Sequence, residues 1–382
     1  LPCQNLARNL LIKVMSFLSK IKEKLFNAKF PMVGVDISDN SIELLQLKSG
    51  GGIPRIKSSF RQDIEAGLIK NGEIIELEKL AAILKQTFSS AQPRLSSTHC
   101  LLSLPDKNTY FLSLQLKING SSLETKIQSL AQEKLPVDLA CCYFNYLLTE
   151  VDKQNREVFF AAAEKKTIAQ FEELFAKAGL NLAVIEFESA SLARALLDDN
   201  DSKKPAFIVD LGAVSTDIVL HDEHGFRDQI NLPFGGYKLA KTIAETLKLE
   251  FGKAEELKKK EGLLLKQDGL GKILSADFNG LFEEIKQIRV NYESRTGNKV
   301  EKLILAGGTS LLPGLLELFS QSLPDLKIEK GDPTKKIKFS TEVSNRLLKN
   351  DIILYSNVIG LALRGLKRES IDQGINLVIN NY

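Results

Sequence analysis

From Met32 onward, short apolar runs alternate with stretches whose apolar positions recur every three or four residues, the two periods of strands and helices. "MVGVDIS" (32–38) reads as a strand ending in a carboxylate, and "SIELLQLKS" (41–49) as a second strand after a polar turn. Residues 73–88 predict a helix with Leu77, Leu80, Ala81, Leu84 and Phe88 on one face. "HCLLSLP" and "YFLSLQL" are strand-like. Residues 123–134 predict a helix stopped by Pro136, "EVFFAAA" a strand, and residues 167–178 a helix closed by Gly179. The alternation indicates an α/β protein.

The pattern of the start returns in the middle of the chain. After the polar run "DDNDSKKP" (198–205), "FIVDLGAVSTDIVLH" repeats the strand, small-residue turn and strand of "VGVDISDNSIELLQL". The duplication predicts two related lobes facing each other. The first takes residues 32–106 and 184–200, with 352–368 returning to it; the second takes 205–234 and 301–345, with a subdomain over 235–300. Residues 107–183, with their own strand and helix rhythm, are expected as an inserted subdomain.

Composition narrows the function classes. Charged residues are 26% of the 382 and the formal net charge is only +3, so nothing marks an electrostatic nucleic-acid binder. Cys3, Cys100, Cys141 and Cys142 have no zinc or disulfide spacing, which favours a reducing compartment. Cys141 and Cys142 lie in an apolar stretch, where cysteine acts as a small hydrophobe. No apolar run approaches the ~18 residues of a spanning helix and no signal peptide is evident, so a soluble protein is expected. Residues 1–31 read as an N-terminal helix or extension, with Met15 as a candidate initiator. Leu11, Val14, Leu18, Ile21 and Leu25 at helical spacing, with Lys13, Lys20, Lys22 and Lys24, suit either an anionic membrane surface or the protein's own body.

The hairpin tips carry the candidate chemistry. Gly212, Ala213, Ser215 and Thr216 let backbone N–H groups approach a phosphate chain, and Asp210 at the strand end can hold a hydrated Mg²⁺. The first hairpin offers Asp36 with Ser38, Asn40 and Ser41 at its turn. Two such hairpins would grip one triphosphate between them, with Asp36 and Asp210 meeting across one metal. In "KLILAGGTSLLPGL" the adjacent Gly307 and Gly308, followed by Thr309, admit a flat adenine against backbone. In "LPFGGYKLAKTIAETL" Gly235 and Gly236 open a helix whose first N–H groups can face phosphate. Glu255 and Lys258, neighbours on one helical face, suit a ribose hydroxyl and an adenine edge, or a solvated surface. "HDEH" (221–224) reads as a polar turn rather than a metal site, and the three histidines support no Ser-His-Asp arrangement.

In this order the elements resemble the actin-like ATPase superfamily, of ribonuclease H-like fold. Within it, "VGVDISDNSIELLQL", "IVDLGAVSTDIVL", "LILAGGTSLLPG" and "YSNVIGLALRGL" resemble the PilM family of type IV pilus assembly proteins, relatives of FtsA, over about residues 32–366. The resemblance implies an ATP- and Mg²⁺-binding scaffold with at most slow ATPase activity, peripheral at the cytoplasmic face of the bacterial inner membrane. It implies the N-terminal cytoplasmic peptide of PilN as partner, coupling through it to PilO and the pilus motor ATPases, with self-association as a further expectation. It also implies that a polar residue at the start of the helix after the insert, Glu188 or its neighbour Glu186, positions the attacking water. Alternatives on the same fold are an FtsA-like cell-division protein and a small-molecule kinase.

Two departures stand out. Ser38 replaces the usual glycine of the first tip, where its hydroxyl can donate a hydrogen bond instead. Within the tail over 369–382, the stretch 370–382 is uncharged apart from Asp372, unlike FtsA tails, and its "INLV" is similar to the Asn-Leu-Leu-Pro type segment of PilN proteins. That likeness leads to the expectation of an added extended segment in a peptide groove of its own or a neighbouring chain, as against a disordered end.

Overall fold

The computed structural model describes residues 31–49, 52–70, 72–117, 122–150, 154–197, 204–339, 352–366 and 374–377. The N-terminal helix, most of the polar run after residue 197 and most of the tail lie outside the described residues. Two five-stranded sheets share one topology. The first is built from β1 (Val33–Ile37), β2 (Ser41–Lys48), β3 (Arg55–Asp63), β6 (His99–Leu104) and β10 (Asn181–Phe187), in the order β10-β6-β1-β2-β3. The second is built from β11 (Ala206–Leu211), β12 (Thr216–Asp222), β13 (Gly225–Leu232), β14 (Lys302–Ala306) and β15 (Lys327–Lys330), in the order β13-β12-β11-β14-β15. In each, an antiparallel meander of three strands is extended on the other side by two parallel strands. The central strands are apolar because both faces are covered: all five residues of β1 are buried.

The sequence between the strands explains the rest. The helix expected from residue 73 begins later, as α1 (Leu77–Ser90), because Glu73 and Ile74 form β5 (Glu73–Ile74), which pairs with β4 (Ile69–Lys70). The inserted unit is a three-stranded sheet of β7 (Tyr110–Lys117), β9 (Asn155–Glu164) and β8 (Cys142–Glu150), packed on α2 (Leu123–Lys134). The strand β8, which the hydrophobic pattern alone does not mark, contains the apolar stretch that follows Cys141. The next helix, α3 (Lys165–Lys177), was expected inside the insert. Its Ile168, Phe171, Leu174 and Phe175 instead join the core of the first lobe, and it packs on α1.

Two helices bind the lobes together. α4 (Glu188–Leu196) and α10 (Ser356–Arg364) contribute Leu192, Ala195, Val358 and Ile359 to one core with Leu45 of the first sheet and Ile208 and Ile304 of the second. They cross closely, since a Cβ on Gly360 would lie 1.9 Å from the Ser191 carbonyl oxygen. The second lobe carries α5 (Gly236–Leu247), α6 (Phe251–Glu261), α7 (Leu270–Ala276), α8 (Asn279–Thr296) and α9 (Leu315–Ser322) around the core of Phe207, Phe278 and Phe319. Residues 374–377 lie along the β10 edge, where the Leu377 N–H donates to the Ile185 oxygen at 2.8 Å. Among the described residues no helix is long and apolar enough to cross a membrane.

Candidate functional site

The two hairpins meet at the junction of the lobes with their carboxylates in equivalent registers. Asp36 on β1 lies opposite Glu43 on β2, and Asp210 on β11 lies opposite Asp217 on β12. Ser103 donates to Asp36 at 2.7 Å, and Asn357 at the start of α10 donates to it at 3.4 Å. A direct bond joins the lobes at the tips, from the Asn40 amide to the Tyr237 hydroxyl at 3.0 Å. The first tip is self-contained: the Ser38 hydroxyl accepts from the N–H groups of Asn40 at 3.3 Å and Ser41 at 3.1 Å. Its hydrogen-bonding capacity therefore serves its own turn, and Ser41 donates to Glu43 at 2.8 Å.

The second tip is more open. Ala213 and Val214 are exposed, and among the described residues no hydrogen bond engages their N–H groups. Beneath it, backbones from three segments pack together. The Gly236 N–H donates to the Gly212 oxygen at 3.0 Å, Tyr237 N–H to Ala213 at 2.8 Å, and the Thr309 hydroxyl to Gly212 at 2.8 Å. The N–H groups opening α5, expected to face phosphate, are thus already occupied. Gly235 and Gly236 act by close packing: a Cβ on Gly235 would lie 2.6 Å from the Ala213 oxygen, and one on Gly236 2.7 Å from Thr309 Oγ1. Gly307 has φ +77° and would place a Cβ 2.3 Å from Asp210 Oδ1, so only glycine fits there. Gly308 is exposed beside it. Buried Lys258 on α6 donates to the Gly236 oxygen at 2.9 Å and pairs with Glu255, which brings both residues to this turn. Ser215 closes the tip by accepting from Gly212 N–H, and the Thr216 hydroxyl donates to the Phe234 oxygen at 2.7 Å.

The junction gathers negative charge. Burial, then Asp217 and Asp36, push the Asp210 carboxyl up to about 7. Burial pushes Asp217 up to about 6, although the Asn231 amide at 2.8 Å and Lys107 ease its charge. Asp36 is raised chiefly by burial. Glu188, the first residue of α4, is raised well above the ordinary range by burial and by Asp36, Asp106, Asp210 and Asp217. Glu186 is excluded from such a role. It is fully buried, and although burial favours its neutral form, Arg194 at 2.7 Å and Arg364 outweigh this and hold its carboxyl below the usual range. Asp106, which no sequence motif singles out, is buried against Ser189 and Gln229 and sits beside this cluster. Asp217 is a further site residue that the motifs do not mark, although hairpin register alone places it opposite Asp210.

Among the described residues no three Asp, Glu, His or Cys side chains are arranged to ligate a metal directly. A carboxylate set that shares charge without closing on one point suits a hydrated divalent cation, held through water and completed by phosphate oxygens. The turn between β12 and β13 falls on Glu223 and His224, the second half of "HDEH"; His221 lies half-buried near the end of β12, and desolvation pushes its imidazole down to about 4.

Comparisons with known proteins address the fold and the family. The cell-division protein FtsA of Neisseria meningitidis serogroup B is 24% identical over 180 residues, 41% of this chain and 43% of that protein. FtsA of Pseudomonas aeruginosa is 22% identical over 236 residues, 55% of this chain and 54% of that protein, so the chain spans about half the length of these curated relatives. A solved PilM-PilN type IV pilus biogenesis complex superposes with a TM-score of 0.76 at 20% identity, over 89% of this chain and 99% of that one. MreB 5 of Spiroplasma citri, solved bound to AMPPNP, gives 0.53 at 12% identity, over 90% of this chain and 97% of that one. The fold is the actin-like one. The family model of the type IV pilus assembly protein PilM matches residues 34–366, and the chain belongs to that family.

Proposed function

We propose that this member of the family is an ATP-binding assembly scaffold that holds Mg-ATP between its lobes. The reading also has it dock the N-terminal cytoplasmic peptide of PilN at the inner face of the inner membrane, and couple through PilN to PilO and the motor ATPases. The observation that carries the nucleotide reading is the meeting of Asp36, Asp210, Asp217 and Glu188 at a glycine-lined junction where the charges acting on Asp210 are both carboxylates. Asp36 and Asp210 would hold a hydrated Mg²⁺, which when bound would neutralise phosphate charge. The open tip at Gly212, Ala213 and Ser215, with the tighter turn at Ser38, Asn40 and Ser41, would flank the phosphates. Gly307, Gly308 and Thr309 would border the adenine, and Glu255 and Lys258 would face the ribose and the adenine edge. Glu188 would orient the attacking water, with at most slow hydrolysis expected; burial and the neighbouring carboxylates raise its carboxyl.

Calorimetric titration of the full chain tests both halves of the reading. One site for Mg-ATP and one for a synthetic PilN N-terminal peptide are expected. Absence of either heat overturns that half.

A further inference from the structure

β10 is one outer strand of the first sheet and β8 one outer strand of the inserted sheet. An outer strand carries backbone groups that another extended segment can pair. On β10 residues 374–377 take both backbone groups of Ile185. Its N–H donates to Asn376 Oδ1 at 3.1 Å and its oxygen accepts from Leu377 N–H at 2.8 Å. From the other side of the groove the Asn145 amide of β8 reaches the Asn376 oxygen at 3.5 Å.

The side chains around Asn376 are anchored as well. Ile375 is 3% and Leu377 1% exposed, and both join the core of the first lobe. Arg364 donates to the Ile375 oxygen at 2.9 Å and is itself fixed by buried Glu186, which also takes Arg194. Beside Ile375 the groove continues into a cavity of about 270 Å³ bordered by Leu147, Phe187, Ala190, Arg194 and Phe226. The seat therefore selects an extended peptide with apolar residues on either side of an asparagine. A longer peptide that also fills the cavity makes contacts that residues 374–377 do not.

We propose that the β10 edge is a peptide-docking strand held shut in cis by residues 374–377, and that an extended apolar-Asn-apolar partner peptide binds by displacing them. The proposal rests on the reading of this chain as a peptide-docking scaffold and adds its regulation. A site that is open only part of the time binds in proportion to its open fraction, so unseating the segment raises apparent affinity.

The test uses a labelled synthetic peptide of this chain's residues 372–380, supplied in trans and followed by fluorescence anisotropy. Three forms are compared: the full chain, the chain shortened after residue 373, and the full chain with Leu377→Asp, which covers the case in which shortening unfolds the protein. The two altered forms are expected to bind at least about tenfold tighter than the full chain, the range that tethered competition reaches. A peptide with aspartate at both apolar positions is expected not to bind. Equal affinity in all three forms, or no binding to either folded altered form, overturns the proposal, as does a dimer in which one copy's segment seats on the other. A PilN N-terminal peptide in a second arm separates the two readings. Tail-peptide binding without PilN-peptide binding overturns the PilN assignment and retains the docking strand. PilN-peptide binding of equal strength to all three forms does the reverse.

Discussion

Asp210 faces Asp217 across the β11–β12 hairpin at the place where Asp36 faces Glu43 across β1–β2. In the first lobe Arg61 lies 2.6 Å from Glu43 and relieves the pair. In the second, the Asn231 amide bonds Asp217, and among the described residues no salt bridge reaches either carboxylate. Like charges directly opposite on a ladder destabilise it. The Asp217→Asn variant should therefore stabilise the metal-free chain by about 0.2–1 kcal/mol, the usual size of a cross-strand pair effect. It should also weaken Mg-ATP binding about tenfold or more. Urea unfolding and calorimetry read the two effects, and a destabilised variant with unchanged binding would show the pair to be structural.

The same charges set a pH dependence. Asp210 titrates near 7 and Asp217 near 6 in the folded chain, both above the ordinary 3.8. The folded state then binds more protons than the unfolded one between about pH 4 and pH 7, and these two groups lower stability as pH rises through that window. Each contributes a slope of at most about 1.4 kcal/mol per pH unit. Denaturant midpoints of the native chain and of Asp210→Asn, measured from pH 4 to pH 8, should diverge in favour of the variant as pH rises. Parallel curves would contradict the assignment.

Glycine substitutions discriminate packing from exposure. Gly307→Ala adds a Cβ against Asp210 Oδ1 at a positive φ, whereas Gly308→Ala meets only Leu354 at 3.4 Å. The first should cost about 1–3 kcal/mol, the range for a strained backbone position, and the second less than about 0.5 kcal/mol. Thermal melts of the two variants check this directly.

Glu186 and Glu188 are two residues apart and should behave oppositely. Glu186→Gln leaves Arg194 and Arg364 without their shared carboxylate and should cost about 3–5 kcal/mol, as breaking a buried pair does. Because its folded carboxyl is depressed, the stability Glu186 gives is present at neutral pH and lost in acid as pH falls through that depressed value. Glu188→Gln removes a carboxylate crowded by four others and should leave stability equal or higher. Chemical denaturation at pH 7 ranks the two variants, and the reverse order would refute both roles.

Much of this was legible in the sequence because a strand that ends in aspartate and turns on small residues is a local pattern, and it occurs twice. The lobes, the hairpins and the glycine turn at Gly307 follow from it. What stayed hidden depends on distant approach. Nothing near Ile168 or Phe171 says that α3 leaves the insert for the first lobe, and Asp106 gains its burial from Ser189 and Gln229, far along the chain. The N–H groups of Gly236 and Tyr237 read as free until the second tip is seen lying against them. Asp217 is intermediate: counting back across the tip from Asp210 would have found it.

The central claim is a cation-dependent nucleotide clamp centred on Asp210. Its most direct test is the melting temperature of the full chain and of Asp210→Ala, each with ATP, with Mg²⁺, and with both. A ligand that binds only the folded state raises the melting point. The native chain should rise by several degrees only when ATP and Mg²⁺ are present together, and Asp210→Ala should not rise at all. An equal rise in Asp210→Ala, or a rise in the native chain that ignores Mg²⁺, would contradict the account.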